Sequence, residues 1–165
     1  MRIGATTRLQ SLVDHPSTPP VIAELARREA PSTLRAMATV GGVIASADPE
    51  SELLAGLLVC DAMVTLVDAS GSDDLPLAEV VVAGVGTRLV TAVSIAIDGT
   101  MAAERTVRTP ADNSIVAVVG RRGSDGTMRL AGCGVGSRPQ LFDVPDRLSP
   151  EGDFRGSVEY RRHLA

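Results

Sequence analysis

The sequence predicts an α+β fold, and three features carry that expectation. Apolar residues recur at helical spacing in the first sixty positions, while short β-branched runs bounded by Gly, Ser and Asp turns follow them. With 165 residues and 44% hydrophobic content, the chain is long and apolar enough to bury a core. All three aromatic residues, Phe142, Phe154 and Tyr160, fall in the last 24 positions, so the first 141 residues must build their core from aliphatic side chains.

A strand is expected at Ile3-Gly4-Ala5-Thr6-Thr7, after which Thr7 caps a short helix whose Leu9, Leu12 and Val13 share a face. Asp14-His15-Pro16 closes it, because proline cannot continue the hydrogen-bond ladder. Pro20 suits the first turn of a second helix, with Ile22, Leu25 and Ala26 on one side and Arg27, Arg28 and Glu29 on the other. A single helical turn from Pro31-Ser32 leads into a Gly-Gly segment. Ser51 then stands as N-cap of a Leu-rich helix ending at Cys60.

Further on, Ala62-Met63-Val64-Thr65-Leu66-Val67 reads as a strand, residues 68–74 as a turn, and residues 89–97 as another strand. Residues 98–104 are expected to separate two modules, 1–100 and 101–165. Residues 114–119 and 128–132 then read as strands joined by a glycine-bounded connection over 120–126, in which Arg121 and Arg122 are expected to be exposed. Residues 138–150 read as a loop, and Ser157 starts a terminal helix.

Charge and composition narrow the function classes. No lysine occurs, and the formal net charge is −4. Residues 1–100 hold 6 Arg against 12 acidic residues, and residues 101–165 hold 10 Arg against 8, a pattern without the concentrated basic face of a nucleic-acid binder. Scarce aromatics also argue against a base-stacking platform. No apolar run has transmembrane length and the N-terminus lacks a signal-peptide core, so a cytoplasmic location with no membrane partner is expected. Cys60 and Cys133 fit no metal spacing and read as buried apolar residues; His15 and His163 read as surface residues. No His-Glu-x-x-His, Gly-x-Ser-x-Gly or Walker loop is present, and no side chain stands out as a general acid, base or nucleophile.

The segment Ala38-Thr39-Val40-Gly41-Gly42-Val43-Ile44 holds the main chemical interest. Two glycines beside a hydroxyl residue let backbone pass close to a ligand, since neither projects a Cβ. Exposed amides near a helix start suit an anion or phosphate. On these residues alone a tight structural loop is the plainer reading.

The order of residues around this segment resembles the FAD-binding domain of molybdenum hydroxylases, the family of the flavin subunit of carbon monoxide dehydrogenase and the flavin domain of xanthine dehydrogenase. The family pattern runs Arg-x-x-Ala-Thr-Ile-Gly-Gly-Asn-Ile, then Pro-x-Ser-Asp and a Leu-rich helix. Matching it here are Arg35, Ala38, Thr39, Val40, Gly41, Gly42, Ile44, Pro49, Ser51 and Leu53, while Val43 stands for the usual Asn and Glu52 for the usual Asp. Similar segments are Ile3-Gly4-Ala5-Thr6-Thr7, Gly86-Thr87-Arg88-Leu89-Val90-Thr91-Ala92-Val93, Arg105-Thr106-Val107-Arg108-Thr109-Pro110-Ala111-Asp112, Ile115-Val116-Ala117-Val118, Ala131-Gly132-Cys133-Gly134-Val135-Gly136-Ser137-Arg138-Pro139 and Glu159-Tyr160-Arg161-Arg162-His163-Leu164, so the resemblance covers nearly the whole chain.

The resemblance implies a partial FAD-binding domain at 1–100, corresponding to the family's second subdomain with a mixed sheet and helices. A small C-terminal domain of antiparallel sheet plus helix would occupy 101–165. It implies FAD as cofactor, bound through Thr39, Val40, Gly41, Gly42, Val43, Ser51 and Glu52, with no metal ligands and no catalytic side chain. The implied partners are a molybdenum-cofactor subunit, an iron–sulfur subunit and a chain supplying the first FAD subdomain, whose small-residue loop would precede the strand at which this chain opens. Electrons would pass from iron–sulfur clusters through the flavin to an acceptor. A subunit-interaction protein without flavin, or a remnant of the family, is the alternative.

Overall fold

The structure is a computed structural model that describes residues 1–109 and 112–165; Pro110 and Ala111 of the expected family segment lie outside the described residues. Two four-stranded sheets carry the architecture. The first has the order β1 (Arg2–Gly4), β4 (Leu89–Ser94), β2 (Met63–Asp68), β3 (Gly71–Pro76). Every pairing in it is antiparallel, where a mixed sheet was expected. The second runs β5 (Thr100–Thr106), β6 (Val116–Arg122), β7 (Met128–Cys133), β8 (Gln140–Phe142), again antiparallel throughout. The chain leaves the first sheet at Ser94 and enters the second at Thr100.

Helices α1 (Leu9–Asp14), α2 (Pro20–Arg28), α3 (Ser32–Arg35), α4 (Val40–Ser46) and α5 (Glu52–Val59) lie between β1 and β2 in sequence. Thr7 does not cap α1: the cap position falls to Arg8, without a side-chain bond, and the Thr7 carbonyl accepts the Val40 amide instead. α2 starts at Pro20 as its spacing predicts, and Arg27 and Arg28 sit in its last turn, where cations complement the helix dipole.

All eight residues of α5 are buried. Such a helix, apolar on every side except at Glu52, needs partners all around, and it packs against α2, β6 and β7 as well as α4 and α6 (Leu77–Ala83). At Gly56 the approach of α2 is so close that an added Cβ would stand 2.4 Å from the Leu25 Cδ1. The resulting cluster of buried side chains extends from Ile3 and Leu9 through the Leu-rich helix to Val119 and Ala131 of the second sheet.

Several elements depart from the expectations. Residues 68–74 are only partly a turn: Gly71–Pro76 forms β3, paired along β2, with the Thr65 hydroxyl donating to Asp74 Oδ1 at 2.6 Å. An edge strand with one wet face tolerates Gly, Ser and Asp, so its composition conceals it. α6 had no counterpart in the sequence reading, since its three valines favour a strand; burial of Leu77, Val80 and Val81 on one face decides for helix. Residues 138–150 include β8 and a 3₁₀ turn at Pro145–Arg147.

Arg121 is not an exposed turn residue. It lies within β6, 6% exposed, with its guanidinium against Asp61 at 3.2 Å and Asp98 at 2.5 Å. The terminal helix α7 (Val158–Leu164) starts at Ser157 as expected, whose hydroxyl accepts from the Tyr160 amide. Its Arg161 is buried and donates to the carbonyls of Ile115 (2.6 Å) and Gly134 (3.0 Å). His15 and His163 are exposed and both cysteines are buried and free.

Candidate functional site

The Gly-Gly segment is not a loop but the first turn of α4. Thr39 has extended backbone, and its side-chain oxygen accepts the Gly42 amide at 3.1 Å, the geometry of an N-cap. The two glycines have different reasons to be there. A Cβ on Gly41 would meet the Ala5 Cβ at 2.7 Å and the Ala5 carbonyl oxygen at 3.0 Å, so this residue lets α4 lie against the end of β1. Gly42 is exposed, and its only near neighbour in that direction is Thr39 Oγ1, at 3.3 Å. Val40 and Val43 are buried in the core.

All four amides at this start are committed within the chain. Val40 donates to the Thr7 carbonyl (3.0 Å), Gly41 to Ala5 (2.8 Å), Gly42 to the Thr39 hydroxyl (3.1 Å) and Val43 to the Thr39 carbonyl (3.1 Å). Free amides facing a ligand, one basis for interest in the motif, are therefore not what the segment offers. It offers a surface without side chains and one hydroxyl: the Thr39 oxygen accepts from Gly42 and keeps its own proton to donate.

That surface forms part of a groove of about 300 Å³, lined by Ala5, Thr6, Thr39, Gly41, Gly42 and Ala45 together with Val85, Arg88, Leu89 and Val90. The β-bulge between β2 and β4 helps to place its floor. Thr65 pairs with Ala92 and Leu66 with Val90, which leaves Thr91 extra, and the Thr91 carbonyl takes the Ala5 amide at 2.9 Å. Arg88 was not among the sequence-derived site residues. A lone arginine after a glycine turn carries no spacing that ties it to Gly42, forty-six positions earlier; only the pairing of β1 with β4 brings them to one groove.

Ser51 and Glu52, the other expected site residues, line a different depression. It has about 50 Å³ of room, with Arg28, Glu29, Asp48, Glu50, Arg105, Asn113 and Ser114 around it. The Ser51 hydroxyl accepts the Leu54 amide at 3.0 Å as N-cap of α5. Glu52 is 5% exposed, with its two carboxylate oxygens 3.5 Å from Arg28 and 3.4 Å from Arg105. Glu29 fills the anion-favouring position at the start of α5 and accepts the Leu53 amide at 3.2 Å. Burial pushes its carboxyl up to about 7, helped by Asp48 and Glu52 and opposed by the hydrogen bonds from Ser51 and Leu53.

This second depression joins the two sheets more than it opens to a ligand. Glu50 pairs with Arg155 and accepts from Asn113 at 2.9 Å, and the Pro49 carbonyl accepts the Gly134 amide at 2.8 Å. Among the described residues no group of three or more His, Cys, Asp or Glu is arranged to hold a metal, and no helix is long and apolar enough to cross a membrane.

Comparison with known proteins adds a direct line. Residues 1–96 match the family described as the FAD binding domain in molybdopterin dehydrogenase. Over 181 residues the chain is 32% identical to the uncharacterized protein YgfM of Escherichia coli K12, covering 99% of this chain and 68% of that protein. Quinoline 2-oxidoreductase from Pseudomonas putida 86 superposes with a TM-score of 0.86 at 18% identity. Carbon monoxide dehydrogenases from Oligotropha carboxidovorans and Hydrogenophaga pseudoflava superpose with TM-scores of 0.83 and 0.85, both at 22% identity. In all three structures the match spans 99% of this chain and 70% of the other. At such identities the superpositions establish the fold.

Proposed function

This chain belongs to the family of FAD-binding domains in molybdopterin dehydrogenases, and on that premise we propose that it forms part of the flavin site of a molybdenum hydroxylase-type oxidoreductase. The observation that carries the reading is Gly42: exposed beside a capping threonine, on a groove wall kept bare of side chains, it lets a cofactor approach the backbone of α4. Pockets for small molecules run from about 300 to 1,000 Å³. A groove at the lower end of that range suits one segment of FAD, with the rest held by another surface such as a partner chain.

Bound FAD would supply two-step redox chemistry, accepting electrons from iron–sulfur clusters and handing them to an acceptor. The chain's own residues bind and orient. Thr39 donates its free proton to the cofactor, Gly42 and Ala45 leave room for it, and Val85, Leu89 and Val90 exclude water from one flank. Ser51 and Glu52 act at one remove, by fixing the start of α5, which packs against α4. The proposed partners are a molybdenum-cofactor subunit and an iron–sulfur subunit of one complex.

Titration of the purified full chain with FAD, followed by flavin fluorescence and visible absorbance, tests the reading. Saturable binding that is lost in Gly42→Leu, with the fold retained by circular dichroism, is the expected result. No binding at millimolar FAD, either alone or with co-purified subunits, would overturn it in favour of a subunit-interaction protein without flavin.

A further inference from the structure

Arg88 is the one charged side chain among the residues that line the Gly42 groove. It sits half-buried in the turn before β4, and its guanidinium makes no hydrogen bond or ion pair among the described residues. Asp68, the carboxylate that feels its charge, is exposed and already engaged by Ser70, whose hydroxyl donates to it at 2.5 Å and whose amide donates at 2.7 Å. Within the groove itself Arg88 has no ionic neighbour: the remaining lining is Ala, Val, Leu, Gly and the two threonines Thr6 and Thr39.

The α4 side of the groove sharpens the point. Glycine-rich helix starts commonly hold phosphate through backbone amides, but here the amides of Val40, Gly41, Gly42 and Val43 are all consumed by acceptors of the chain itself. An anion on the α4 side of this groove meets no open amide among residues 40–43, and the side-chain donors lining the groove are the hydroxyls of Thr6 and Thr39 and the forked guanidinium of Arg88. Arginine's planar donors match two phosphate oxygens at once.

We infer that Arg88 is the diphosphate-binding residue of this groove, taking the charged middle of a dinucleotide while Thr39 and Thr6 supply the neutral donors. The inference rests on the flavin reading for the identity of the dinucleotide, and it adds which part of FAD lies here and which side chain selects it. Within FAD the diphosphate alone carries the negative charge that such a cation recognises.

The test compares the full-length wild-type chain with Arg88→Gln and Arg88→Lys, titrated with FAD, with riboflavin and with inorganic pyrophosphate. For Arg88→Gln, FAD affinity should fall about ten- to a hundredfold, as for loss of a hydrogen-bonded charge, while riboflavin affinity changes less than about twofold, within ordinary surface-substitution effects. Arg88→Lys should recover part of the FAD affinity, and added salt should weaken FAD binding to the wild type more than to Arg88→Gln. Pyrophosphate alone should bind the wild type and not Arg88→Gln. Equal losses for FAD and riboflavin, an unchanged FAD affinity in Arg88→Gln, or no pyrophosphate binding to the wild type would each overturn the inference. If pyrophosphate depends on Arg88 but neither flavin binds, the anion site stands and the flavin reading is what fails.

Discussion

Gly41 and Ala5 are packed so tightly that a Cβ on the glycine would lie 2.7 Å from that of the alanine, whereas Gly42 beside it faces the groove. Adjacent glycines in one helical turn therefore carry different duties. Gly41→Ala should cost about 1–3 kcal/mol through overpacking against backbone that cannot retreat, lowering Tm by roughly 3–10 °C for a chain of this size. Gly42→Ala should change stability by less than about 1 kcal/mol, its helix gain offsetting the tight contact with Thr39. Thermal melts of both variants decide it; equal losses would contradict the assignment.

Arg121 ties the end of α5 to the second sheet. It reaches the carboxylates of Asp61 and Asp98 and donates to the backbone carbonyls of Asp98 (3.2 Å) and Val59 (3.5 Å). Both carboxylates remain close to half exposed, so their loss of a partner is mild. The Val59 carbonyl at the C-terminus of α5 and the Asp98 carbonyl before β5 lose a cationic donor, and Arg121→Met should cost about 1–3 kcal/mol in urea unfolding. A change within a few tenths would mean water replaces the guanidinium freely.

Glu29 should give the protein a distinctive pH response. Its folded-state carboxyl lies at about 7 against an ordinary value of 4.5, with burial as the first cause. The native state thus holds the proton more tightly than the unfolded chain. Its stabilising effect is complete below about pH 4.5, declines as pH rises through 7, and is absent above. Glu29→Gln keeps an acceptor for the Leu53 amide and removes the titration. Its stability relative to wild type should rise by up to about 3 kcal/mol between those limits, and a flat difference across that range would refute the placement.

Both thiols should be inert in the native protein. Burial pushes Cys60 up to about 11 and Cys133 up to about 12, and neither side chain is exposed. At about pH 8 a thiol reagent should label neither cysteine until denaturant is added, since the thiolate is the reactive form. Rapid labelling of either in the folded chain would show that its surroundings open.

Much of the fold was legible because local rules and burial agree. Pro20 opens α2, Ser51 caps α5 and Ser157 caps α7, each through a residue type that serves the unpaired amides of a helix start. Where local preference and packing disagree, packing prevails. The valines of α6 favour a strand, and Gly71, Ser72, Asp73 and Asp74 favour a turn, yet one segment is helical and the other lies in a sheet.

The candidate site divides along the same line. Thr39, Gly41 and Gly42 fall within four consecutive positions, so their order could suggest a ligand-facing turn and a family. That Gly41 packs against Ala5 while Gly42 beside it stays exposed depends on where β1 ends. That Glu52 points to Arg28 and Arg105 depends on the approach of α2 and β5 to α5.

By itself the sequence determined the α+β class, the helix starts, the burial of both cysteines and the Thr39-Gly41-Gly42 motif, since each rests on interactions within a few residues or on hydrophobicity. Only the tertiary structure decided that the amides of this motif are already satisfied, that Arg121 is buried, and that Arg88 and Gly42 line one groove. Those depend on strand pairing between distant segments, β1 with β4 and β5 with β6. Antiparallel register puts one residue opposite another by geometry alone, and no spacing along the chain records it.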